Sequence, residues 1–311
     1  MAKKQIRHLR EGQTEFQKVF SRLCDTNSAW QVWSDFVEMT AISISNTVEI
    51  REKVKQEREA RYMNIIGTYT KKEQAIFPEL VNILVQSLQR SSEQDFLGEM
   101  FMSLELGNHW KGQFFTPYCI CKAMASINIE DAKDKAAQNG YITINDPACG
   151  AGATLIAARN TLELAKIGGT QAFFVGQDID RTAAMMCYVQ LSLLGCAGYV
   201  VVADTIRYPI TGKTLWPNLN ENQDAWFMPL NYMEPAWVLR LMKARRLDFD
   251  IELDADSYEV VAESTCDENV TEPQEVAEDE PKQAEPQEPP APTPELEIPF
   301  VETEIGQLTL F

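Results

Sequence analysis

Apolar residues recur at helical spacing through the first third of the chain. Within residues 16–23 they stand at i, i+3, i+4 and i+7, which places them on one face of a helix. Thr70 and Glu73 have the spacing of a capping box and precede the apolar run 75–88. The pattern predicts a helical N-terminal region over residues 1–125.

The pattern changes near residue 141. Three short runs, 141–148, 172–179 and 198–205, are rich in β-branched and aromatic residues, and the helical segments 152–169 and 180–195 separate them. Strands that alternate with helices are typical of a parallel sheet with crossover helices. The sequence therefore predicts an α/β fold for this part of the chain.

After residue 205 the pattern is weaker. Residues 230–246 predict a helix that begins near Pro235, and residues 248–263 predict a short hairpin, so the α/β domain is expected to cover residues 126–263. No clear fourth strand follows the first three, which leaves the sheet incomplete. Because open strand edges are usually covered or paired, we expect residues 224–230, the hairpin or a second protein to lie beside the first strand.

Charge sets the last part of the chain apart. The chain has 311 residues and a net charge of −18, and residues 264–311 hold 13 acidic residues, one lysine and 8 of the 15 prolines. This composition predicts a disordered acidic linker over residues 264–306. A polyanionic segment repels nucleic-acid phosphates, so the charge argues against DNA binding by the tail but much less by the folded region.

Other compositional signals are mostly negative. No run of about 18 apolar residues is present, and the first residues lack the apolar core of a secretory signal. The seven cysteines show neither a disulfide framework nor the spacing of a metal site. We expect a cytoplasmic protein without a membrane span or a bound metal.

The end of the first strand carries the strongest chemical signal. Asp146 precedes Gly150 and Gly152, and a helix follows. Glycines let the backbone approach a ligand, and the start of a helix offers free N–H groups to an anion, while Asp146 suits a positive charge. Leu155 stands where a dinucleotide-binding loop would have a third glycine. S-adenosylmethionine (SAM), with its carboxylate, ammonium and sulfonium, fits this pattern better than a nicotinamide dinucleotide.

The next two strands also end in acids. Asp178 is placed to accept hydrogen bonds from both ribose hydroxyls of a nucleoside, and Asp204 is placed to accept one from the adenine amino group. Asp180 competes with Asp178 for the ribose, although it also suits the cap of the following helix. Because the carboxyl ends of parallel strands share one edge of a sheet, these acids are expected to face one crevice.

A second motif lies upstream of the first strand. Residues 112–117 read GQFFTP, with Thr116 a good N-cap and Pro117 a good first residue of a helix. This motif, followed about thirty residues later by DPACGAGA, resembles the amino-methylating DNA methyltransferases, and most of all the modification subunit of type I restriction systems. That family makes N6-methyladenine and has a helical N-terminal region before a Rossmann-like, SAM-dependent domain.

The resemblance implies SAM as the cofactor and DNA as a partner. It also implies a set of cofactor-binding residues at the positions that match the family's motifs. These are Phe114, Thr116, Pro117, Asp146, Ala148, Gly150, Gly152, Asp178, Asp204 and Thr205.

The chain departs from the family at the end of the fourth strand. There the family has Asn or Asp, two prolines, and Tyr or Phe, which hold the target base, and this motif does not occur in the chain. Residues 229–235 contain the right residue types in another order, which makes Asn231 and Tyr232 candidate catalytic residues against the simpler interpretation of an irregular loop.

Three hypotheses follow. The preferred one is a SAM-binding family member, associated with DNA, whose base-methylating chemistry is weakened or lost. The second is an active adenine-specific methyltransferase in which this loop or a second subunit supplies the missing acceptor. The third is a non-enzymatic structural partner with a relic cofactor crevice.

The chain ends on an apolar pentapeptide. Residues 307–311, Gln-Leu-Thr-Leu-Phe, resemble the peptide by which bacterial replication and repair proteins bind the DNA polymerase sliding clamp. The resemblance implies a clamp partner, contacts through Gln307, Leu308, Leu310 and Phe311, and a bacterial or mobile-element origin. The alternatives are a chance apolar end or a strand that folds back on the core.

Overall fold

The computed structural model describes residues 10–106, 115–127, 129–245 and 307–309, and only the backbone of residues 129, 130 and 307–309. The described N-terminal region is helical, as predicted. Its helices are α1 (Glu11–Ser21), α2 (Ala29–Asn46), α3 (Glu52–Ile66), α4 (Lys71–Gln74), α5 (Ile76–Arg90), α6 (Phe96–Ser103), α7 (Tyr118–Ile127) and α8 (Ile129–Asn139).

An aromatic cluster holds the first helices together. Phe16 on α1 is fully buried, and its ring centroid lies 5.4 Å from that of Phe36 on α2 and 5.6 Å from that of Phe96 on α6. The capping box predicted at Thr70 is confirmed, since its side chain accepts from the N–H of Glu73. Helix α7 begins at Tyr118, one residue later than predicted, and runs across the expected domain boundary after residue 125.

The predicted alternation of strands and helices is confirmed. The remaining elements are β1 (Ile142–Asp146), α9 (Ala153–Leu164), β2 (Ala172–Asp178), α10 (Arg181–Leu193), β3 (Ala197–Val202), β4 (Thr211–Lys213), β5 (Trp216–Asn218), β6 (Asp224–Phe227), α11 (Leu230–Met233), α12 (Pro235–Ala244) and β7 (Gln307–Thr309). The helix predicted near Pro235 is α12. The three long strands β1, β2 and β3 pair in parallel, and β4 and β5 form a separate hairpin.

The sheet is covered on both faces, which explains why its strands read as nearly continuous apolar runs. Side chains alternate along a strand. Phe174 and Val200 belong to the core shared with the helices on one side. Phe173 and Tyr199 belong to a second core on the other side, with Trp237 of α12.

The edges of the sheet differ from the expectation. The strand order is β6-β3-β2-β1-β7, with β6 antiparallel to β3. Residues 224–227 therefore pair at the far edge rather than beside β1, so that part of the prediction was wrong, because the edge of β3 was equally open to them. The strand beside β1 is β7, in parallel, with Thr143 opposite Gln307 and Asn145 opposite Thr309. The backbone of residues 307–309 thus forms a strand that folds back on the core, which was one of the alternatives for the terminal peptide.

Two further predictions fall outside the described part of the chain. The hairpin at 248–263 and the acidic linker over 264–306 lie outside the described residues. Among the described helices, none has the length and apolar character needed to span a membrane.

Candidate cofactor cleft at the carboxyl edge of the sheet

A cleft of about 600 Å³ opens where β1, β2 and β3 end. The strand-end acids Asp146, Asp178 and Asp204 all line it, as the parallel order of the strands led us to expect. The other lining residues are Phe115, Thr116, Pro147, Ala148, Cys149, Gly150, Ala151, Ala153, Thr154, Ile179, Thr205 and Ile206.

The loop after β1 needs its glycines. Gly150 has φ +52° and Gly152 has φ +95°, a region that favours glycine. A Cβ on Gly150 would lie 2.9 Å from the ring of Phe115, and one on Gly152 would lie 2.9 Å from the sulfur of Cys187. The loop is therefore pressed between the GQFFTP segment and α10, and Gly152 leads directly into α9.

Asp146 holds this loop in shape. Its carboxylate is 1% exposed, accepts from the N–H of Ala148 at 3.0 Å and accepts a short hydrogen bond from the hydroxyl of Thr154. Burial raises the pKa of Asp146, and the hydrogen bond from Thr154 opposes that rise. The acid at the end of β1 thus fixes both the loop and the first turn of α9.

Asp178 ties the end of β2 to the same loop. One of its oxygens accepts from the N–H of Gly150 at 2.8 Å, and the other accepts from the N–H of Asp180 at 2.8 Å. Each oxygen keeps a lone pair for a ligand hydroxyl. Asp180 instead caps α10 by accepting from the N–H of Ala183 at 3.0 Å, and it does not line the cleft. Of the two acids considered for the ribose hydroxyls, Asp178 is therefore the one that the position in the cleft favours.

The end of β3 completes the cleft. The carboxylate of Asp204 accepts from the N–H of Ile206 at 2.9 Å and forms an ion pair with Arg207 at 3.5 Å. The hydroxyl of Thr205 donates to the carbonyl of Pro147 at 2.5 Å, which joins the loops after β1 and β3. Ile206 is 93% exposed, so an apolar side chain stands open at the rim.

The electrostatics of the cleft favour a cation. Burial raises the pKa of Asp178 as it does that of Asp146, and backbone hydrogen bonds offset part of that rise. Two largely desolvated carboxylates that face one cleft are stabilised by a positively charged ligand group, because it compensates for the hydration that burial has removed. A sulfonium and an ammonium are groups of this kind.

Most of the residues predicted for the cofactor come together here, but not all. Gly152 shapes the loop without lining the cleft, and Pro117 lines an adjoining pocket of about 360 Å³ that shares Phe115 and Thr116 with the cleft. Phe114 lies outside the described residues.

Sequence reasoning missed four lining residues that bear on a ligand, namely Phe115, Thr154, Ile179 and Ile206. The only sequence signal for the two isoleucines was their position: Ile179 directly follows Asp178, and Ile206 stands two residues after Asp204. In a sequence alone, a phenylalanine such as Phe115 is more often a core residue than a cofactor contact. Nothing in the local pattern marks Thr154 as the partner of Asp146.

The two candidate catalytic residues lie elsewhere. Asn231 is fully buried at the start of β3, where its amide accepts from the N–H of Gly198 at 2.7 Å and donates to the carbonyl of Gly198 at 2.7 Å. Gly198 is at the amino end of the strand whose other end leads to Asp204, so Asn231 stands at the opposite edge of the sheet from the cleft. Tyr232 is exposed and lies near Arg51, and neither candidate lines the cleft.

A buried side chain on α10 links the N-terminal helices to the glycine loop of the cleft. Gln190 on α10 donates to Asp95 at 2.8 Å and to the carbonyl of Ala151 at 2.9 Å, and it accepts from the N–H of Leu97 at 3.0 Å. Because Ala151 sits between the two loop glycines, the network fixes the loop against the start of α6. No sequence signal pointed to this contact, since a glutamine in an apolar helix has no periodicity of its own.

Comparison with known families bears on this part of the chain. Residues 94–223 match the N-6 DNA Methylase family. The matched segment contains the Asp95 network, the glycine loop and all three strand-end acids, so the similarity to that family lies in the part of the chain that forms the cleft. That family match implies S-adenosylmethionine as the cofactor. The comparison with curated proteins gave no match.

Two solved structures resemble part of this chain. One is a candidate class I SAM-dependent methyltransferase of Listeria monocytogenes, with 17% identity and a TM-score of 0.35, over 62% of this chain and 53% of that one. The other is the methyltransferase subunit of a type I restriction-modification system of Streptococcus thermophilus, with 16% identity and a TM-score of 0.37, over 64% of this chain and 41% of that one. The chain thus spans about half the length of the structures it resembles.

Proposed function

We propose that the chain binds SAM in the cofactor cleft and acts on DNA as an N6-adenine methyltransferase-type module whose base-methylating chemistry is weakened or lost. The single observation that carries the proposal is the convergence of Asp146, Asp178 and Asp204 with the glycine loop on one cleft. These groups offer carboxylates to hydroxyl and cationic groups and backbone N–H groups to a carboxylate, which is the set that SAM requires.

Different residues of the cleft would contact the ribose, the adenine ring and the methionine part of SAM. Asp178 has a free lone pair on each oxygen for the ribose hydroxyls, because its two backbone donors use the others. Ile179 and Ile206 are 70% and 93% exposed beside it and offer apolar surface to the adenine ring. Thr116 and the buried Asp146 stand nearer the glycine loop, where the methionine part would lie. SAM supplies an electrophilic methyl group when it is bound.

The loss of chemistry is proposed from the missing acceptor. Transfer to an adenine amino group needs a polar side chain and a carbonyl that accept from that nitrogen and aim it at the methyl. The usual motif is absent from this chain, and the nearest substitutes, Asn231 and Tyr232, do not line the cleft. Asn231 has both of its amide groups committed to Gly198.

The second candidate is an active methyltransferase completed by a second subunit. Gln190 and Asp95 are both buried, and their hydrogen bond holds the glycine loop in a defined shape. A loop fixed before the ligand arrives is the kind of preorganisation that catalysis uses. A partner that placed an acceptor beside the cleft would then be sufficient.

Two measurements test these proposals. Calorimetric titration of the full chain with SAM should give saturable binding of one equivalent, with Asp134→Asn on the exposed face of α8 as a control that leaves it unchanged. If the parent chain did not bind SAM, the proposal would be wrong, and the hypothesis of a structural partner with a relic cofactor crevice would be favoured. Transfer of labelled methyl from SAM to adenine-containing DNA, alone and with added cell extract, then separates the two remaining candidates. Transfer by the purified chain alone would refute the loss of chemistry.

We propose further that residues 307–311 bind a bacterial sliding clamp. The resemblance of the peptide supports this, and Leu308, Leu310 and Phe311 are the apolar side chains that a hydrophobic groove could take. A peptide of residues 300–311 should bind the clamp with micromolar affinity and lose it on Leu310→Ala with Phe311→Ala. The matched control is Val301→Ala with Ile305→Ala, which removes apolar side chains outside the pentapeptide. No binding by the parent peptide would end this proposal.

A further inference from the structure

A basic cleft opens at the amino end of β1, the opposite end of that strand from the cofactor cleft. Its volume is about 840 Å³, and Tyr141, Ile142 and Thr143 form one wall. Among the described residues that line it, the charged ones are Lys213, Arg240 and Lys243, and none is a carboxylate. In a chain with a net charge of −18, three cations around one cleft form an electropositive site.

No described carboxylate neutralises these cations. Lys213 donates to the carbonyl of Ala244 at 3.3 Å, and Arg240 donates to the carbonyls of Gly140, at 2.9 Å, and Thr170. Within residues 10–106, 115–127 and 129–245, none of the ion pairs involves Lys213, Arg240 or Lys243. The guanidinium of Arg240 is held in place by lying 4.6 Å from the ring centroid of Trp237.

The strand β7 leads toward this cleft. It pairs with β1 in parallel, with Thr143 opposite Gln307 and Asn145 opposite Thr309. Because the two strands run in the same direction, β7 begins beside Thr143, which lines the cleft near the amino end of β1. The six residues before β7 lie outside the described part of the chain. The sequence there is Val301-Glu302-Thr303-Glu304-Ile305-Gly306.

We propose that the basic cleft is the docking site of the chain's own residues 301–306, with Glu302 and Glu304 placed against Lys213, Arg240 and Lys243. Glu302 and Glu304 are two positions apart, so an extended backbone puts both carboxylates on one side. Both carboxylates would then face the three cations of the cleft. The inference does not depend on the bound cofactor, on DNA or on a sliding clamp.

The connected segment is a better occupant than a nucleic acid. Strand β7 pairs with β1 beside Thr143, and the covalent connection of residues 301–306 to β7 raises their effective concentration at the cleft above that of a free ligand. A DNA strand held by Lys213 and Lys243 would lie at the wrong end of β1 to present a base to Asp146 and the cofactor cleft.

The test is hydrogen exchange of the C-terminal peptide in the full chain, followed by mass spectrometry without ligand. Three paired variants are compared: the tail reversal Glu302→Lys with Glu304→Lys, the cleft reversal Lys213→Glu with Lys243→Glu, and the two together. Exposed ion pairs are modest in strength, so we expect about three- to tenfold faster exchange of residues 307–309 in each single reversal. The combination should restore the parent rate, because the charges again oppose one another.

The control is Glu285→Lys with Glu288→Lys, which makes the same change of charge in the tail but away from the end of β1. It should leave the exchange unchanged, and 1 M salt should accelerate exchange in the parent chain because it screens the pairs. Equal exchange in all chains, or failure of the combined variant to restore protection, would overturn the proposal.

Two further outcomes identify a different occupant. Exchange that slows with rising protein concentration would show that the segment comes from a second copy. Binding of a duplex oligonucleotide that the cleft reversal abolishes, with unchanged exchange of residues 307–309, would assign the cleft to nucleic acid. Either result contradicts docking of the chain's own segment.

Discussion

Gln190 donates a hydrogen bond to the carboxylate of Asp95 at 2.8 Å, and both side chains are buried. The same oxygen of Asp95 accepts from the N–H of Gly98 at 2.9 Å, which caps α6. Since Gln190 also donates to Ala151 in the glycine loop, this pair joins the N-terminal helices to the cofactor cleft.

Replacement of Asp95 by Asn should change how stability depends on pH. Burial raises the pKa of Asp95 to about 6 from its ordinary value of 3.8. Between these two values the folded chain holds a proton that the unfolded chain has lost, so the contribution of Asp95 to the free energy of unfolding falls as pH rises through this window. The free energy of unfolding of Asp95→Asn minus that of the parent should therefore rise by roughly 1–3 kcal/mol from pH 4 to pH 7.

Urea unfolding at four pH values in that range measures this difference. The exposed Asp134→Asn serves as the control for the change of charge. A difference between Asp95→Asn and the parent that stays constant with pH would show that Asp95 does not titrate in the window.

Replacement of Gln190 by Leu should destabilise the fold and loosen the glycine loop. It removes the donor to the buried carbonyl of Ala151 and the acceptor of the N–H of Leu97, at a cost of about 1–3 kcal/mol. Asp95 loses one of its two donors and keeps the N–H of Gly98. The exposed Gln56→Leu on α3 is the matched control and should stay within about 0.5 kcal/mol. Urea unfolding gives both values, and an equal effect of the two changes would deny the network its role.

Replacement of Asp178 by Asn should weaken SAM binding at least tenfold, which corresponds to about 1.4 kcal/mol. Asparagine keeps one acceptor oxygen, so either Gly150 or Asp180 loses its carboxylate partner and the ribose loses an acceptor. Asp180→Asn is the matched control, because asparagine caps a helix as well as aspartate does. Calorimetry compares the two, and an equal loss in both would return Asp180 to consideration as the ribose ligand.

Alanine at Gly150 should be far less tolerated than alanine at Gly168. At position 150 the side chain meets Phe115 at 2.9 Å with φ at +52°, whereas at position 168 nothing lies within 4 Å. We expect Gly150→Ala to cost about 1–3 kcal/mol of stability and to reduce SAM affinity. Gly168→Ala should be neutral or stabilising by up to about 1 kcal/mol. Thermal unfolding and SAM titration of both variants test this, and similar behaviour would refute the close packing of the loop against Phe115.

Replacement of Asn231 by Leu should act on stability rather than on the cofactor. It leaves the N–H of Gly198 unpaired in the core, which costs about 1–3 kcal/mol, whereas the carbonyl of Gly198 still accepts from the N–H of Met228 at 3.0 Å. Tyr232→Phe should change neither stability nor SAM affinity by a measurable amount. A variant of Asn231 that folds normally but loses methyl transfer would reinstate it as a catalytic candidate.

Local patterns in the sequence determined the elements and one feature of the site. The spacing of apolar residues was sufficient for α1, α5, α9 and α10 and for β1, β2 and β3, because each depends mainly on its own periodicity. The meeting of Asp146, Asp178 and Asp204 could be predicted as well, since parallel strands must end at the same edge of their sheet. The family motifs added the identity of the ligand.

Only the tertiary structure decided what occupies the edges of the sheet and what supports the loop. An edge strand pairs with whichever segment reaches it, so β6 beside β3 and β7 beside β1 follow from long-range packing and not from the local sequence. Long-range packing also decides that Asn231 forms its hydrogen bonds with Gly198 rather than lining a catalytic site, and that Gln190 hydrogen-bonds to Asp95. Buried polar groups must find partners, but their partners lie far along the chain, and only the folded backbone brings them within hydrogen-bond distance.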